Sequence, residues 1–332
     1  MKAVGYTAPG APDILQDITL PDPISPTGRD LLVSVKAVSI NPVDTKIRQR
    51  AGALEGEHCR VLGWDAAGIV EATGPEVTFF RPGDHVFYAG ALMRQGSNAE
   101  KQLVDERLVG VMPARLDWGQ AASLPLTSVT AWEMLFDRMA ITARTQGVLL
   151  VVGGAGGVGS ILIQLARKLT GLTVIATASR PQTQEWVKTM GAHHVVDHRG
   201  DMASQIRALG FDHVTHIAAL TASDIHQPFY EEILASQGHL SLIDDPAQFD
   251  ITGFKRKSAT VSWEFMFTRS LFATPDQVRQ HEILDRVSAL VQDGTLVPTE
   301  HDRVQGLSAS TVSALHRESE SGRSIGKTVL VF

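Results

Sequence analysis

The sequence predicts an α/β fold in which a doubly wound parallel sheet is combined with a separate β-rich domain. Three observations carry that expectation. The apolar run at 148–152 leads into Gly154-Ala155-Gly156-Gly157-Val158-Gly159, where Gly154, Gly156 and Gly159 fit G-x-G-x-x-G, and a helical stripe follows at 160–169. Downstream, short β-branched runs alternate with helical segments as far as residue 243, the signature of successive βαβ units. Upstream, residues 1 to about 120 carry short strands punctuated by Gly/Pro turns, as in a small barrel-like domain.

Taken in order, residues 31–40 alternate and are β-branched. Residues 68–72 and 85–88 read as further strands, between turns at Pro26-Thr27-Gly28, Thr73-Gly74-Pro75 and Arg81-Pro82-Gly83-Asp84. The pattern turns helical over 118–137. The run at 148–152 is nearly unbroken, which suits a strand covered on both faces of a parallel sheet. The segment 160–169 puts Ile161, Leu162, Leu165, Ala166 and Leu169 on one helical face. Strands at 173–178, 195–196, 213–220 and 239–243 then alternate with helices at 182–190, 202–209 and 225–236, and 260–265 supplies a sixth strand at the sheet edge. Pro275 opens an amphipathic helix over 276–292, stopped at Gly294. A short strand, a helix at 308–319 and a last strand at 328–332 return to the N-terminal domain. The expected division is one domain of 1–122 and 268–332, with a dinucleotide-binding domain of 123–267 inserted in it.

Composition narrows the function classes. An apolar share of 43% is ample for a core, and 20% charged residues is ordinary for a soluble protein. A net charge of -6 gives no reason to expect nucleic acid or an anionic membrane as partner. The single cysteine, Cys59, rules out an internal disulfide and fits a reducing cytosol. The first residues, MKAVGYTAPG, lack the apolar core of a signal peptide, and no apolar run is long enough to cross a bilayer, so a cytoplasmic location is expected.

The bend at Gly154, Ala155, Gly156, Gly157, Val158 and Gly159 reads as a Rossmann fingerprint. One glycine permits the tight turn, one lets backbone approach a pyrophosphate, and one lets helix pack close to strand. Free N–H groups at the helix start then face the phosphates. Sites specific for NAD carry an acid about 20 residues on, at the end of the second strand. Here that strand ends Ala176-Thr177-Ala178-Ser179-Arg180, with no carboxylate. Arg180 offers a planar fork to a 2′-phosphate, and the Thr177 and Ser179 hydroxyls add hydrogen bonds. The expected cofactor is NADPH rather than NADH. The competing reading makes Arg180 a solvated residue opening a helix before Pro181.

Several local signatures carry a family resemblance: Asn41-Pro42-Val43-Asp44, Gly63-Trp64-Asp65-Ala66-Ala67-Gly68-Ile69-Val70, Pro82-Gly83-Asp84-His85-Val86, Leu126-Thr127-Ser128-Val129-Thr130-Ala131 and Gly326-Lys327-Thr328-Val329-Leu330. Together with the AGGVG bend they resemble the medium-chain dehydrogenase/reductase superfamily over essentially the whole chain. Within it the chain is most similar to quinone oxidoreductases, and to the branch called zinc-type alcohol dehydrogenase-like. The resemblance implies a GroES-like catalytic domain beside the Rossmann domain, and a homodimer paired through edge strands near 260–265. It implies Thr127 beside the nicotinamide, or else as a helix-start cap. It also implies Lys327 near the cofactor phosphates, or else as a surface lysine.

The resemblance also shows where zinc ligands would stand. Zinc alcohol dehydrogenases have a cysteine at the position of Asn41, a histidine at that of Trp64, and a third ligand near Pro125 or Leu126. None of these side chains replaces a thiolate or imidazole, and the four-cysteine lobe for a structural zinc is missing. His58 and Cys59 are adjacent on an extended segment and point apart. No metal is expected.

Without a metal, nothing strong stabilises the alkoxide formed from a simple ketone. A quinone or an α,β-unsaturated carbonyl suits such a site better, because the charge spreads over a phenolate or enolate that modest hydrogen bonds stabilise. Asn41 is the candidate donor to the substrate oxygen, and Asp44 the brace of its loop. Related quinone reductases have tyrosine where this chain has Lys46, which either replaces that acid or is simply exposed. Trp64, Phe87, Phe265, Met266 and Phe267 are candidates for an apolar pocket wall or for ordinary core. Two alternatives stand beside a quinone or enone reductase. One is a zinc-dependent alcohol dehydrogenase. The other is a cofactor-binding protein with a structural or regulatory duty; some relatives are lens crystallins or bind RNA, against which the acidic charge and lack of a basic stripe weigh.

Overall fold

The apolar run before the glycine bend becomes the strand Gln146–Val152, near the middle of a six-stranded sheet. From one edge the strands run His194–Val196, Gly171–Thr177, Gln146–Val152, Val214–Ala219, Leu234–Leu242 and Thr260–Trp263, and every neighbouring pair is parallel. In chain order this is 3-2-1-4-5-6, a doubly wound sheet whose switch point lies beside its first strand. The register sets Leu150 opposite both Ile175 and Ile217. These residues, with Leu240, Ile206, Tyr230 and Ile233, form one buried core. A strand paired on both edges and covered on both faces explains the absence of polar alternation at 148–152.

The computed structural model describes every residue, Met1–Phe332, and the chain divides into two units. One is Thr130–Met266, which contains the parallel sheet; the other joins Met1–Val129 to Phe267–Phe332. No helix is long and apolar enough to cross a membrane.

The joined unit is built on the ten-residue strand Asp30–Ser39, whose Leu31, Val33, Val35 and Ala37 are buried in alternation. It pairs antiparallel with Ala66–Thr73 along one edge, and with Lys101–Asp105 and Lys327–Val331 at successive stretches of its length. His85–Tyr88 and Val109–Val111 extend the sheet on one side, and Glu300–Gln305 on the other. A smaller antiparallel sheet orders Gln16–Thr19, Lys2–Tyr6 and Arg60–Val61.

Four differences from the sequence reading have physical causes. The helical stretch expected over 118–137 is broken into Trp118–Ala122, Pro125–Trp132 and a widened turn Glu133–Arg138, because Pro125 restarts the helix. The helix expected at 225–236 is Ser223–Ile233, since Leu234 is drawn into the core as the first residue of the next strand. The helix expected from 276 begins at Arg279, because Thr274 and Asp276 close a turn through a 2.7 Å side-chain hydrogen bond. The nine-residue helix Pro42–Arg50 was not resolved as an element from its polar sequence, and it positions much of the site.

Candidate active site

In the unit with the parallel sheet, the glycine bend divides its roles as the fingerprint requires. A Cβ added at Gly159 would lie 2.5 Å from the Gly154 carbonyl oxygen, so the helix Gly157–Leu169 packs closely onto the loop only because that residue is glycine. A Cβ at Gly154 would lie 2.9 Å from that of Ala176. At Gly156 the nearest atom is 3.6 Å away, leaving open room above the helix start. Gly156, Gly157 and Val158 are half-exposed at that mouth, while Gly154 and Ala155 are buried. The loop is braced by Ser160, whose Oγ donates to the Gly156 carbonyl at 2.7 Å and accepts from Trp186 Nε1 at 2.8 Å. This is a cradle that a diphosphate fits.

The second strand ends beside it. Thr177 Oγ1 accepts from the Gly153 N–H at 3.0 Å, tying loop to strand and leaving its own proton to donate elsewhere. Ser179 and Arg180 are half-buried. The Arg180 N–H donates to Thr183 Oγ1 at 3.1 Å, at the start of the helix Pro181–Thr189.

In the other unit a buried polar cluster forms around Asp65. Its Oδ2 accepts from Ser39 Oγ at 2.9 Å, Asn41 Nδ2 at 2.8 Å and Lys327 Nζ at 3.1 Å, and its Oδ1 accepts from the Leu126 N–H at 2.7 Å. Lys327 also donates to the Ile40 carbonyl at 2.6 Å and to Asn41 Oδ1 at 2.5 Å. Asp44 sits at the third position of the helix that Asn41 caps. It accepts from the Asn41 N–H at 2.6 Å and the Gly63 N–H at 3.1 Å. Burial pushes the Asp44 carboxyl up to about 7, against the pull of the Asn41 amide and the Lys327 charge.

Three expectations are corrected by this geometry. Asn41 does not present a free amide to a substrate oxygen: it is 1% exposed, one Nδ2 proton points at Asp65 and the Ser39 carbonyl lies 3.4 Å away. Lys327 is no surface lysine, and its three ammonium protons go to protein oxygens rather than to a phosphate. Thr127 is not a cap, since its hydroxyl bonds back to the Leu124 carbonyl at 3.1 Å in a buried helix. Asp44 links the start of its helix to Gly63 through these two N–H groups, and Lys46 is half-buried on the same helix.

The apolar candidates do not form one set. Trp64 and Phe267 are buried and meet edge-on at 6.2 Å. Phe87 is core of the antiparallel sheet, fully buried under Gly110. Met266 is buried, and Phe265 is 46% exposed. Asp65 and Ser39 were missed. The signal for Asp65 was present: an acid inside the apolar stretch Leu62-Gly63-Trp64-Asp65-Ala66-Ala67 needs a buried partner.

The donor set does not suit zinc. At the first ligand position Asn41 Oδ1 already accepts from an ammonium, and the Trp64 side chain offers only an N–H, given to the Ala91 carbonyl at 3.2 Å. No group of three or more His, Cys, Asp or Glu side chains is arranged to hold a metal ion.

Comparison with known proteins places this geometry. Residues 27–128 match the family model of the alcohol dehydrogenase GroES-like domain, and residues 157–279 that of zinc-binding dehydrogenase. A zinc-type alcohol dehydrogenase-like protein of Staphylococcus aureus (strain MSSA476) is 41% identical over 311 residues, 92% of each chain. The quinone oxidoreductase of Sus scrofa is 34% identical over 202 residues, 60% of this chain and 59% of its own. A Rhizobium etli CFN 42 structure, provisionally called a zinc-dependent alcohol dehydrogenase, has a TM-score of 0.95 at 50% identity, covering 100% of this chain and 98% of its own. A mycobacterial protein crystallised with NADPH has a TM-score of 0.85 at 26% identity, with 100% of both chains covered.

Proposed function

The chain belongs to the medium-chain dehydrogenase/reductase superfamily and is an oxidoreductase of that family, and on that premise we propose that it reduces quinones or α,β-unsaturated carbonyls with NADPH and without zinc. The observation that carries the reading is the Asn41–Lys327 contact of 2.5 Å. It occupies the Asn41 oxygen with an ammonium where the family's zinc would need a thiolate, leaving no donor atom there for a metal.

When bound, NADPH supplies a hydride equivalent. The open backbone at Gly156, Gly157 and Val158 would receive its diphosphate. Thr177, Ser179 and Arg180 would receive the 2′-phosphate, and the segment 176–180 itself carries no carboxylate. The Asp65 cluster is a positioning device. It fixes Asn41 at the head of the helix that carries Lys46, and Lys46 or solvent delivers the proton. The pig relative's name, quinone oxidoreductase, supports the substrate class.

A homodimer through the outer edge of Thr260–Trp263 completes the reading. That strand pairs only with Leu234–Leu242 and leaves Trp263 49% exposed. A monomer in sedimentation at micromolar concentration contradicts this part.

The function is tested by NADPH oxidation over a panel of quinones, enones, saturated ketones and aldehydes. Turnover confined to the first two classes, and faster with NADPH than with NADH, is expected. Turnover only of saturated carbonyls, or tight NADPH binding with no turnover of any of them, rejects it.

A further inference from the structure

The segment after the third strand of the parallel sheet carries a second arginine into the cofactor region. His194–Val196 runs parallel to Gly171–Thr177 with Val196 opposite Thr177, and the Ala178 N–H donates to the Val196 carbonyl at 3.0 Å. Residues 197–199 therefore leave the sheet beside 178–180. There Arg199 Nη2 donates to the Ser179 carbonyl at 2.6 Å and to Asp197 Oδ2 at 2.7 Å. Its Nε lies 3.1 Å from Asp197 Oδ1, and its backbone N–H donates to the same oxygen at 2.9 Å.

We propose that Arg199 is a second specificity-determining residue of the dinucleotide site, holding the 2′-phosphate together with Arg180. The inference rests on the NADPH reading above. Its reasons are geometric and electrostatic. The contacts to Ser179 and Asp197 use Nε and Nη2, which leaves the Nη1 protons for a ligand on a side chain 64% exposed. The guanidinium plane is fixed before any ligand arrives, so little side-chain freedom is lost on binding. Asp197 is the acid that the parallel register brings beside 178–180, and Arg199 holds its carboxyl down at about 2 while occupying both oxygens. It is therefore a poor acceptor for a ribose 2′-hydroxyl, the contact by which a carboxylate selects NAD. Arg199 converts an acid that would favour NADH into part of a cationic clamp.

The test is calorimetric binding of 2′,5′-ADP, 5′-AMP, NADPH and NADH to the intact protein, to Arg199→Ala and to Arg199→Lys. Arg199→Ala is expected to weaken 2′,5′-ADP and NADPH about tenfold or more, the worth of a hydrogen bond to a charged group, and to change 5′-AMP and NADH about twofold at most. Arg199→Lys keeps the charge but loses the fork, and an intermediate loss is expected. A uniform weakening of all four ligands makes Arg199 a mere latch for the loop and overturns the inference; so does no weakening at all. The two readings separate in the unmutated protein. If it prefers 2′-phosphorylated ligands while Arg199→Ala keeps that preference, only the Arg199 inference falls. If it shows no preference, the NADPH reading falls and takes this inference with it.

Discussion

Lys327 Nζ stands 3.1 Å from Asp65 Oδ2, and the two side chains are 3% and 0% exposed. The pair joins a C-terminal strand to the loop before Ala66–Thr73, across 262 residues of sequence. Removing one partner of a buried pair strands the other charge without solvent or counter-ion, at roughly 3–5 kcal/mol. Lys327→Met is expected to show that loss in urea unfolding, and adding Asp65→Asn to restore part of it. A loss in the single variant below about 1 kcal/mol would show that the pair is not fully desolvated.

The glycine bend separates two kinds of damage. Gly159→Ala drives a methyl to within 2.5 Å of the Gly154 carbonyl oxygen, an overpacking worth about 1–3 kcal/mol or more. Gly156→Ala meets nothing nearer than 3.6 Å, so the fold should hold while the methyl occupies the room left for a diphosphate. Melting curves and cofactor titration on both variants check this. Equal cofactor affinity in Gly156→Ala and the unmutated protein contradicts the assignment of the cradle.

Arg180→Ala is expected to weaken NADPH about tenfold or more and to leave NADH nearly unchanged, because only the former offers a dianionic partner to the guanidinium. Fluorescence titration of both cofactors reads the ratio. Equal effects would place Arg180 away from the 2′-phosphate.

Two buried histidines tie stability to pH. His316 Nδ1 lies 2.9 Å from Arg48 Nη1, so its ring accepts in the neutral form. Burial, and then the Arg48 charge, lowers it from 6.5 to about 3. Burial, and then His239, lowers His216 to about 4. The native chain thus binds fewer protons than the unfolded one below pH 6.5. The stability these groups contribute is present above that pH and is lost toward pH 4 and pH 3, at about 1.4 kcal/mol per unit for each. Asp44 acts in the opposite sense: its pKa rises from 3.8 to about 7, so its contribution is present below 3.8 and lost as pH rises through 7. Urea titrations of His316→Gln between pH 7 and pH 5 should show a shallower acid limb. An unchanged slope contradicts the role given to His316.

What could be read in the sequence was local. The strand, bend and helix around Gly154 to Gly159 are consecutive, and their signals fall within one short stretch. The short strands Lys2–Tyr6, Gln16–Thr19 and Lys101–Asp105 give too little periodicity to stand out, and the pairing of Lys2–Tyr6 with Arg60–Val61 and of Lys101–Asp105 with Asp30–Ser39 joins segments far apart in the chain. The same holds for the site. Asn41-Pro42-Val43-Asp44 has the form of a helix start, with proline at its first turn and an acid three residues after the cap, but the polar residues that follow carry no apolar stripe to mark the helix. That Lys327 and Asp65 would consume the Asn41 amide depends on a contact between segments 286 residues apart. Arg199 lay in the same blind spot, because its approach to Ser179 follows from the register of two parallel strands.

An oxidoreductase of the proposed kind works with organic groups alone. Metal content and NADPH-dependent quinone turnover, measured on the same sample before and after exhaustive chelation, test it most directly. Zinc far below one ion per chain and turnover unchanged by chelation are expected. Stoichiometric zinc, with turnover lost on its removal and restored on its return, would contradict the account.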